Sequence, residues 1–422
     1  MTDAYIPSSS IDRNQRMFYD NKYYFFSLRL EIEGNIDIHR LETAVAKVAD
    51  AIPILRYYYS GTLEESGWRP LPKNPVWVTC SSAEPAVLHK ILKSLPTVHS
   101  PMHILLDKNH DSDTLVISMD HTVTDAHGLQ EITGMISSTY ATLVWDPDLS
   151  LLPIPQSGDR SLKPLIQSYS QEVCESLCRA EAEKRLAVMP YQKLFATTPT
   201  DRSLPKLFTR QIKPQMFLAM KLFAKQHHAT INDVLLTVYA AALKKYADTK
   251  FKVSIKQIPI RSAIDLRKYY PPYLRNEIRN YSVPYWTSVA IPSNDIPSIL
   301  RGVAASVRKV KASAPGIGAL FPIEEPDSAV SMPFQDTDYS FAPFISNVGV
   351  LAKDIVDFGD GLSVKDAVVY ANITTGNPFI IGVLTWENTL SLSIFTDCNY
   401  EIACHLLDHM YTLINDIGKS CQ

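Results

Sequence analysis

The sequence has little charge and few cysteines for its length. Charged residues make up 20% of the 422 positions, and 41 basic against 44 acidic residues leave a net charge of −3. No basic stripe stands out, which argues against nucleic acid as a partner. No apolar run reaches the 18 or more residues of a membrane span, and the opening Met1-Thr2-Asp3-Ala4-Tyr5 lacks the basic and apolar regions of a signal peptide. The six cysteines are scattered at 80, 174, 178, 398, 404 and 421. That suits reduced thiols in the cytoplasm better than a disulfide framework. Several catalytic signatures are missing: the G-x-S-x-G elbow, the Walker A loop, G-x-G-x-x-G and H-E-x-x-H. A serine-elbow hydrolase, a P-loop enzyme, a Rossmann dehydrogenase and a zincin therefore lose their sequence support. His405-Leu406-Leu407-Asp408-His409 puts two imidazoles at i and i+4, but zinc wants four ligands in suitable geometry, so no metal site is expected.

What is present is a large apolar fraction, 46%, in alternating strand and helix patterns. Tyr23 to Ile32 reads as a strand. Residues 36–49 place Ile38, Leu41, Ala44, Val45 and Val48 on one helical face. A strand at 54–59 and a helix at 84–95 follow. Strands at 102–107 and 114–120, split by a polar loop, read as a hairpin before a helix at 126–143. Prolines 147, 153, 155 and 164 break regular structure; residues 165–188 read as a helix and 190–205 as loose chain. The second half gives helices at 213–228 and 230–246, the latter capped by Thr230 with Asp233 in its first turn. Strands near 251–259 and 281–291, a helix at 296–312, a loop at 314–337, four strands between 341 and 396 and a helix at 401–418 complete the chain. The expected organisation is an N-terminal lobe over 1–160, a helical linker over 161–204 and a C-terminal lobe over 205–422.

One stretch carries chemistry: His121-Thr122-Val123-Thr124-Asp125-Ala126-His127-Gly128. Leu115, Ile117, Met119 and His121 share one strand parity, so the imidazole continues an apolar face at a strand end, just before a helix. Histidine suits proton transfer near neutral pH. The H-x-x-x-D spacing alone is weak, because His103 and Asp107 repeat it inside a strand. For His121 the bland alternative is a core histidine followed by an N-capping Asp125.

DHTVTDAHG resembles the HHxxxDG signature of the chloramphenicol acetyltransferase and condensation-domain superfamily. Its Asp-Ala-His form is closest to the polyketide-associated acyltransferases of the phthiocerol dimycocerosate type. Thr230-Ile231-Asn232-Asp233-Val234-Leu235-Leu236 resembles the start of a helix in the second lobe of such proteins. Ile264-Asp265-Leu266-Arg267 with Arg279-Asn280-Tyr281-Ser282, and then Ser346-Asn347-Val348-Gly349, resemble segments of alcohol acetyltransferase-like members, in family order. Two departures stand out: Asp120 replaces the first His, and Ala126-His127 separates Asp from Gly.

The resemblance implies an α/β (α+β) fold of two chloramphenicol-acetyltransferase-like lobes, each a mixed sheet with flanking helices, with the active-site tunnel between them. It implies a cytoplasmic acyltransferase, with no bound cofactor, that takes an acyl group from acyl-CoA or an acyl carrier protein to an alcohol or amine. His121 would be the base and Asp125 the buried partner of Arg267. Asn347 or Ser346 would supply an oxyanion donor, and Asn280 and Ser282 would line the tunnel. Bland alternatives are a loop cap for Asn280, a bulge or turn at 346–349 and a surface cation for Arg267. Residues 314–337 would bridge the lobes, and His127 is read as a bystander. The alternatives are a free-standing condensation enzyme forming amides between carrier-bound groups, and a catalytically silent relative that binds a carrier protein.

Overall fold

The computed structural model describes the chain except residues 1–4, 18–24, 62–65, 73–74, 82–99, 156–157, 196–205, 253–254, 292–294, 315, 326–342, 360, 372–378, 397–398 and 421–422. The helix expected at 84–95 and most of the bridging segment at 314–337 lie outside the described residues. Among those described, no helix is long and apolar enough to cross a membrane.

The chain forms two compact units, each built on a mixed sheet. The first comprises Met1–Leu162, Arg267–Tyr281 and Val350–Asn372; the second comprises Lys163–Leu266, Ser282–Gly349 and Ile373–Gln422. Sequence order suggests a single C-terminal lobe over 205–422, yet two of its segments return to the first unit. One of them, the strand Ser363–Tyr370, pairs antiparallel with Phe25–Glu33 and closes one edge of the first sheet. Its apolar pattern states that it is half-buried but does not name the strand beside it.

In the first unit the five-stranded sheet runs in the order Ser363–Tyr370, Phe25–Glu33, Ser112–Asp120, Met102–Asp107, Val78–Ser81. Ser112–Asp120 sits in the middle, and every residue from Asp113 to Asp120 is buried. This explains why both its parities are occupied by apolar or small residues. Its hairpin partner Met102–Asp107 aligns Met102 with Met119 and Asp107 with Thr114. The buried Asp113 organises the loop between them: its carboxylate accepts from Lys108 Nζ at 2.6 Å, from the amide of Ile36 at 2.6 Å and from that of Asn109 at 3.3 Å. The helix Ile38–Ala51 buries Leu41, Ala44, Val45, Val48, Ala49 and Ala51, and packs against the helix Ala126–Thr142. Asp37 caps the former by accepting from the amide of Arg40. A small antiparallel sheet, Ile6–Pro7, Ser66–Pro70 and Tyr57–Gly61, lies in the same unit. Of the strand expected at 54–59, residues 54–56 instead belong to a short 3-10 turn opened by Pro53, and the strand begins at Tyr57.

The second unit holds a six-stranded sheet in the order Ser282–Ala290, Gln257–Asp265, Phe344–Leu351, Ile380–Trp386, Thr389–Thr396, Lys206–Ile212. The edge strand Lys206–Ile212 has no clear apolar alternation, and the sequence does not reveal it; only Ile212 is fully buried. Glu387 and Asn388 both take positive φ, 42° and 66°, and make the two-residue turn that joins neighbouring strands. The helix Ile231–Phe251 starts in a full capping box between Thr230 and Asp233 and inserts Val234, Leu235, Val238, Tyr239 and Leu243 into the core. The helix Gln171–Phe195 runs through residues expected as loose chain beyond 190. Inside the expected loop at 314–337, Ile317–Glu324 is helical. It starts at Gly316, whose φ is 88° and whose Cβ would fall 2.2 Å from Val283.

His103 serves this core rather than chemistry. It is buried in Met102–Asp107, its Nε2 is 2.6 Å from Thr79 Oγ1, and burial depresses its imidazole to about 4. An imidazole neutral in the fold but protonated below about 6.5 in the unfolded chain draws protons toward the unfolded state. Stability should therefore fall between pH 6.5 and 4, by up to about 3 kcal/mol from this residue. Urea unfolding at pH 7 and 4.5 should show a smaller loss for His103→Gln than for the parent. An equal loss would show that His103 does not set the acid sensitivity.

Candidate active site

The site is built where the central strand ends. The chain leaves Asp120, turns through residues 121–125 and enters the helix Ala126–Thr142. The turn is tied from within: the amide of Thr122 donates to Asp120 Oδ1 at 2.8 Å, and that of Val123 to the Asp120 carbonyl at 2.9 Å. Asp120 Oδ2 also receives Arg16 Nη1 at 3.3 Å. The carboxylate at this position thus anchors both the turn and the helix Ser10–Met17.

His121 sits on this turn, partly exposed, with its ring 4.5 Å from that of Phe26. Its Nδ1 lies 3.1 Å from the carbonyl oxygen of Thr124 and 3.0 Å from Asn280 Nδ2. Both contacts cannot be hydrogen bonds at once if Nδ1 carries a proton. A carbonyl can only accept, so the Thr124 contact is a hydrogen bond in the tautomer with the proton on Nδ1. Asn280 Nδ2 then donates to the His121 carbonyl, 2.9 Å away. This tautomer puts the basic lone pair on Nε2. Burial lowers the imidazole below its ordinary range, against the backbone contacts at His121 and Thr124 and the charges of Asp125 and Asp120. The ring is neutral at pH 7, the state a base requires.

Asp125 is buried and does not serve the imidazole. Its Oδ2 accepts from Arg267 Nη1 at 2.7 Å and from the amide of Tyr281 at 2.9 Å; its Oδ1 accepts from the amide of Gly128 at 3.1 Å, capping the helix. Burial alone would raise this carboxyl. The charge and hydrogen bond of Arg267, with the two amides, outweigh it and hold the group below the usual carboxylate range. Arg267 stacks over the Tyr281 ring at 4.4 Å. Gly128 must be small: a Cβ there would lie 1.9 Å from Thr124 Oγ1.

His121, Asp125, Arg267 and Asn280 therefore converge within the first unit. Ser282, Ser346 and Asn347 belong to the second. There Asn347 Oδ1 accepts from the amide of Gly349 at 3.0 Å, an Asx-type turn. Gly349 has a φ of 87°. His127 stands half-exposed on the helix, with Nε2 3.4 Å from Glu131 Oε1; that contact raises its imidazole. Among the described residues no three His, Cys, Asp or Glu side chains converge as a metal set.

Two buried arginines have roles the sequence does not reveal: Arg160, and Arg279 of the Arg279-Asn280-Tyr281-Ser282 segment. Arg160 donates from Nη2 to the carbonyls of Thr122 and Val123, both at 2.9 Å, and from Nη1 to that of Ile278 at 3.2 Å. Arg279 donates to the carbonyls of Ser161 at 3.0 Å and Asp159 at 2.7 Å, and pairs with Glu277. Arg160 lies in a short Ser-Gly-Asp-Arg string among prolines, where no periodicity singles out a cation.

No family model matches the sequence, and no curated protein matches it. Solved structures do. Polyketide synthase associated protein 5 from Mycobacterium tuberculosis matches with a TM-score of 0.70 at 16% identity, over 98% of this chain and 99% of that one. The first condensation domain of the calcium-dependent antibiotic synthetase, in complex with a substrate analogue, gives 0.71 at 14% identity, over 99% and 96%. The epimerization domain from the third module of tyrocidine synthetase B gives 0.68 at 14%, over 100% and 98%.

Removing one side of the Asp125–Arg267 pair strands a buried charge. Asp125→Ala should cost roughly 3–5 kcal/mol in urea unfolding and lower the soluble yield. Asp125→Ala combined with Arg267→Met should recover part of that loss. A single variant as stable as the parent would remove the pair from its structural role. With two mixed sheets flanked by helices and likeness over nearly the whole chain, the protein shares its fold with polyketide synthase associated protein 5 and with these condensation and epimerization domains.

Proposed function

We propose that the protein is an acyltransferase, with His121 as general base, that moves an acyl group from a thioester to an alcohol or amine. The observation that carries this reading is the Thr124 carbonyl 3.1 Å from His121 Nδ1, a contact that suits a proton on that nitrogen and a lone pair on the other. A neutral, oriented imidazole at a strand-to-helix turn is what abstraction of a hydroxyl or amine proton requires.

In the proposed reaction the acceptor's heteroatom attacks the thioester carbonyl while its proton passes to His121 Nε2. The tetrahedral intermediate collapses, the carbon–sulfur bond breaks, and the imidazolium returns the proton to the leaving thiolate. No covalent acyl-enzyme forms on the protein. Asn347 or Ser346 is the proposed oxyanion donor, and Asn280 and Ser282 are proposed to meet substrate. The donor is acyl-CoA or an acyl carrier protein, with no resident cofactor. The likeness in fold to polyketide synthase associated protein 5 and to condensation domains favours thioester chemistry. Asp125 acts at one remove, by holding the turn through Arg267, Gly128 and Tyr281.

The test is thiol release from a panel of acyl-CoA donors and carrier-bound acyl groups, with several alcohols and amines. Release should require both substrates, and His121→Ala should lower kcat about 10²–10⁴-fold in a folded protein. Carrier binding without turnover would point instead to a silent relative, and unchanged release in His121→Ala would remove the base assignment.

The pH dependence has a definite sign. Only the neutral imidazole accepts a proton, and burial lowers its pKa below the ordinary 6.5. Activity should therefore hold as pH falls through 6.5 and decline only at more acidic values. An acid limb of kcat/KM centred above 6.5 would contradict this environment for His121.

A further inference from the structure

His121 gets its orientation from two separate stretches of chain: Thr124 through its carbonyl, and Asn280 through its amide nitrogen. These stretches are 156 positions apart in sequence (280 − 124) and belong to no common strand or helix. Something must hold their backbones in register. Asp125 joins them on one side, through the amide of Tyr281 at 2.9 Å, while on the other Thr124 Oγ1 reaches the Arg279 carbonyl only at 3.5 Å, a weak link.

We propose that Arg160 is a positioning residue for the imidazole: its guanidinium clamps the Thr122–Val123 backbone to the Ile278 backbone and so fixes both contacts that orient His121. This rests on the reading of His121 as the base. The fork is what the task needs. One guanidinium nitrogen serves two consecutive carbonyls of the turn, at 2.9 Å each, while the other reaches across to Ile278 at 3.2 Å. A planar, always-charged group with five donors can span three carbonyls on two segments; an ammonium on a flexible stem cannot hold the same geometry.

The clamp is itself held. Arg160 is buried, its plane is 4.8 Å from the Trp68 ring, and its Nε lies 3.5 Å from Asp12 Oδ1. Asp12 Oδ2 accepts from Trp68 Nε1 at 3.1 Å, so the counter-charge is locked too. Arg279, the neighbour of Asn280, grips the carbonyls on either side of Arg160, at Asp159 and Ser161. Residues 159–161 and 277–280 therefore hold each other reciprocally, with the His121 turn tied to both. The charges around the imidazole are Asp120 with Arg16, Asp125 with Arg267, Arg160 with Asp12, and Arg279 with Glu277. None of these cations donates to Nδ1 in the contacts described.

The experiment reads the tautomer directly. Protein labelled with ¹⁵N-histidine is compared as parent, Arg160→Met and Arg160→Lys, with the His121 signal assigned by its loss in His121→Gln. The parent should show one neutral tautomer protonated at Nδ1. Arg160→Met should average the two ring nitrogens, and Arg160→Lys should fall between. Steady-state turnover should show kcat about 10²-fold lower for Arg160→Met with KM for the thioester within threefold, because a misplaced base slows chemistry more than binding. Tyr239→Phe, in the core of the second unit, controls for lost stability and should leave the His121 signal unchanged. A folded Arg160→Met with the parental tautomer signal overturns the proposal. If that variant does not fold, Arg160→Lys decides: an averaged signal supports the clamp, and a parental one overturns it. The tautomer signal is independent of turnover, so an inactive parent would defeat the acyltransferase reading while leaving the clamp decided by the spectra.

Discussion

The buried pair of Asp125 and Arg267 is the constraint on which the rest of the site depends. A carboxylate with almost no exposure must find partners or cost several kcal/mol. Asp125 finds three: a guanidinium from a distant segment and two backbone amides. One of those amides starts the helix Ala126–Thr142 and another belongs to Tyr281, beside Asn280. The same three bonds that neutralise the carboxylate thus fix where the helix begins and where Asn280 stands. The position of His121 follows from that geometry, although Asp125 never touches the imidazole.

Backbone carbonyls do much of the orienting. The Thr124 carbonyl meets His121 Nδ1, and the carbonyls of Thr122, Val123 and Ile278 collect the charge of Arg160. A histidine held by a carboxylate becomes more basic in its charged form. A histidine held by a neutral carbonyl in a buried setting stays neutral, as the downward shift of His121 indicates. The carboxylates nearest the imidazole, those of Asp120 and Asp125, are each matched by an arginine.

Asp120 shows how a departure from a motif can be absorbed. The HHxxxDG signature that this stretch resembles has histidine there. Here the carboxylate accepts from Thr122 and receives Arg16, so it closes the turn and draws the helix Ser10–Met17 onto it. The bond to Thr122 needs only an acceptor, whereas the pair with Arg16 needs negative charge. A neutral imidazole could supply the acceptor but not the pairing charge.

Much of the fold was legible in the sequence. The helix at 38–51 carries its buried face at helical spacing, the hairpin at 102–120 is split by polar loop residues, and the Thr230 cap sits three residues before its Asp. Those features are local, and local patterns are written in consecutive residues. His121 was visible as a histidine at a strand end, and its spacing to Asp125 said nothing by itself, since His103 and Asp107 share it and His103 lies buried against Thr79. The edge strand Lys206–Ile212, the return of Ser363–Tyr370 to the first sheet and the carbonyl contacts of Arg160 were not legible. Each depends on which distant backbone lies alongside, and periodicity encodes burial rather than partners. The sequence by itself determined the helices, most strands and a family-like set of motifs. Only the tertiary structure decided that Asp125 binds Arg267 rather than the imidazole, and that Arg160 reaches the Ile278 carbonyl, because those bonds join segments more than a hundred residues apart.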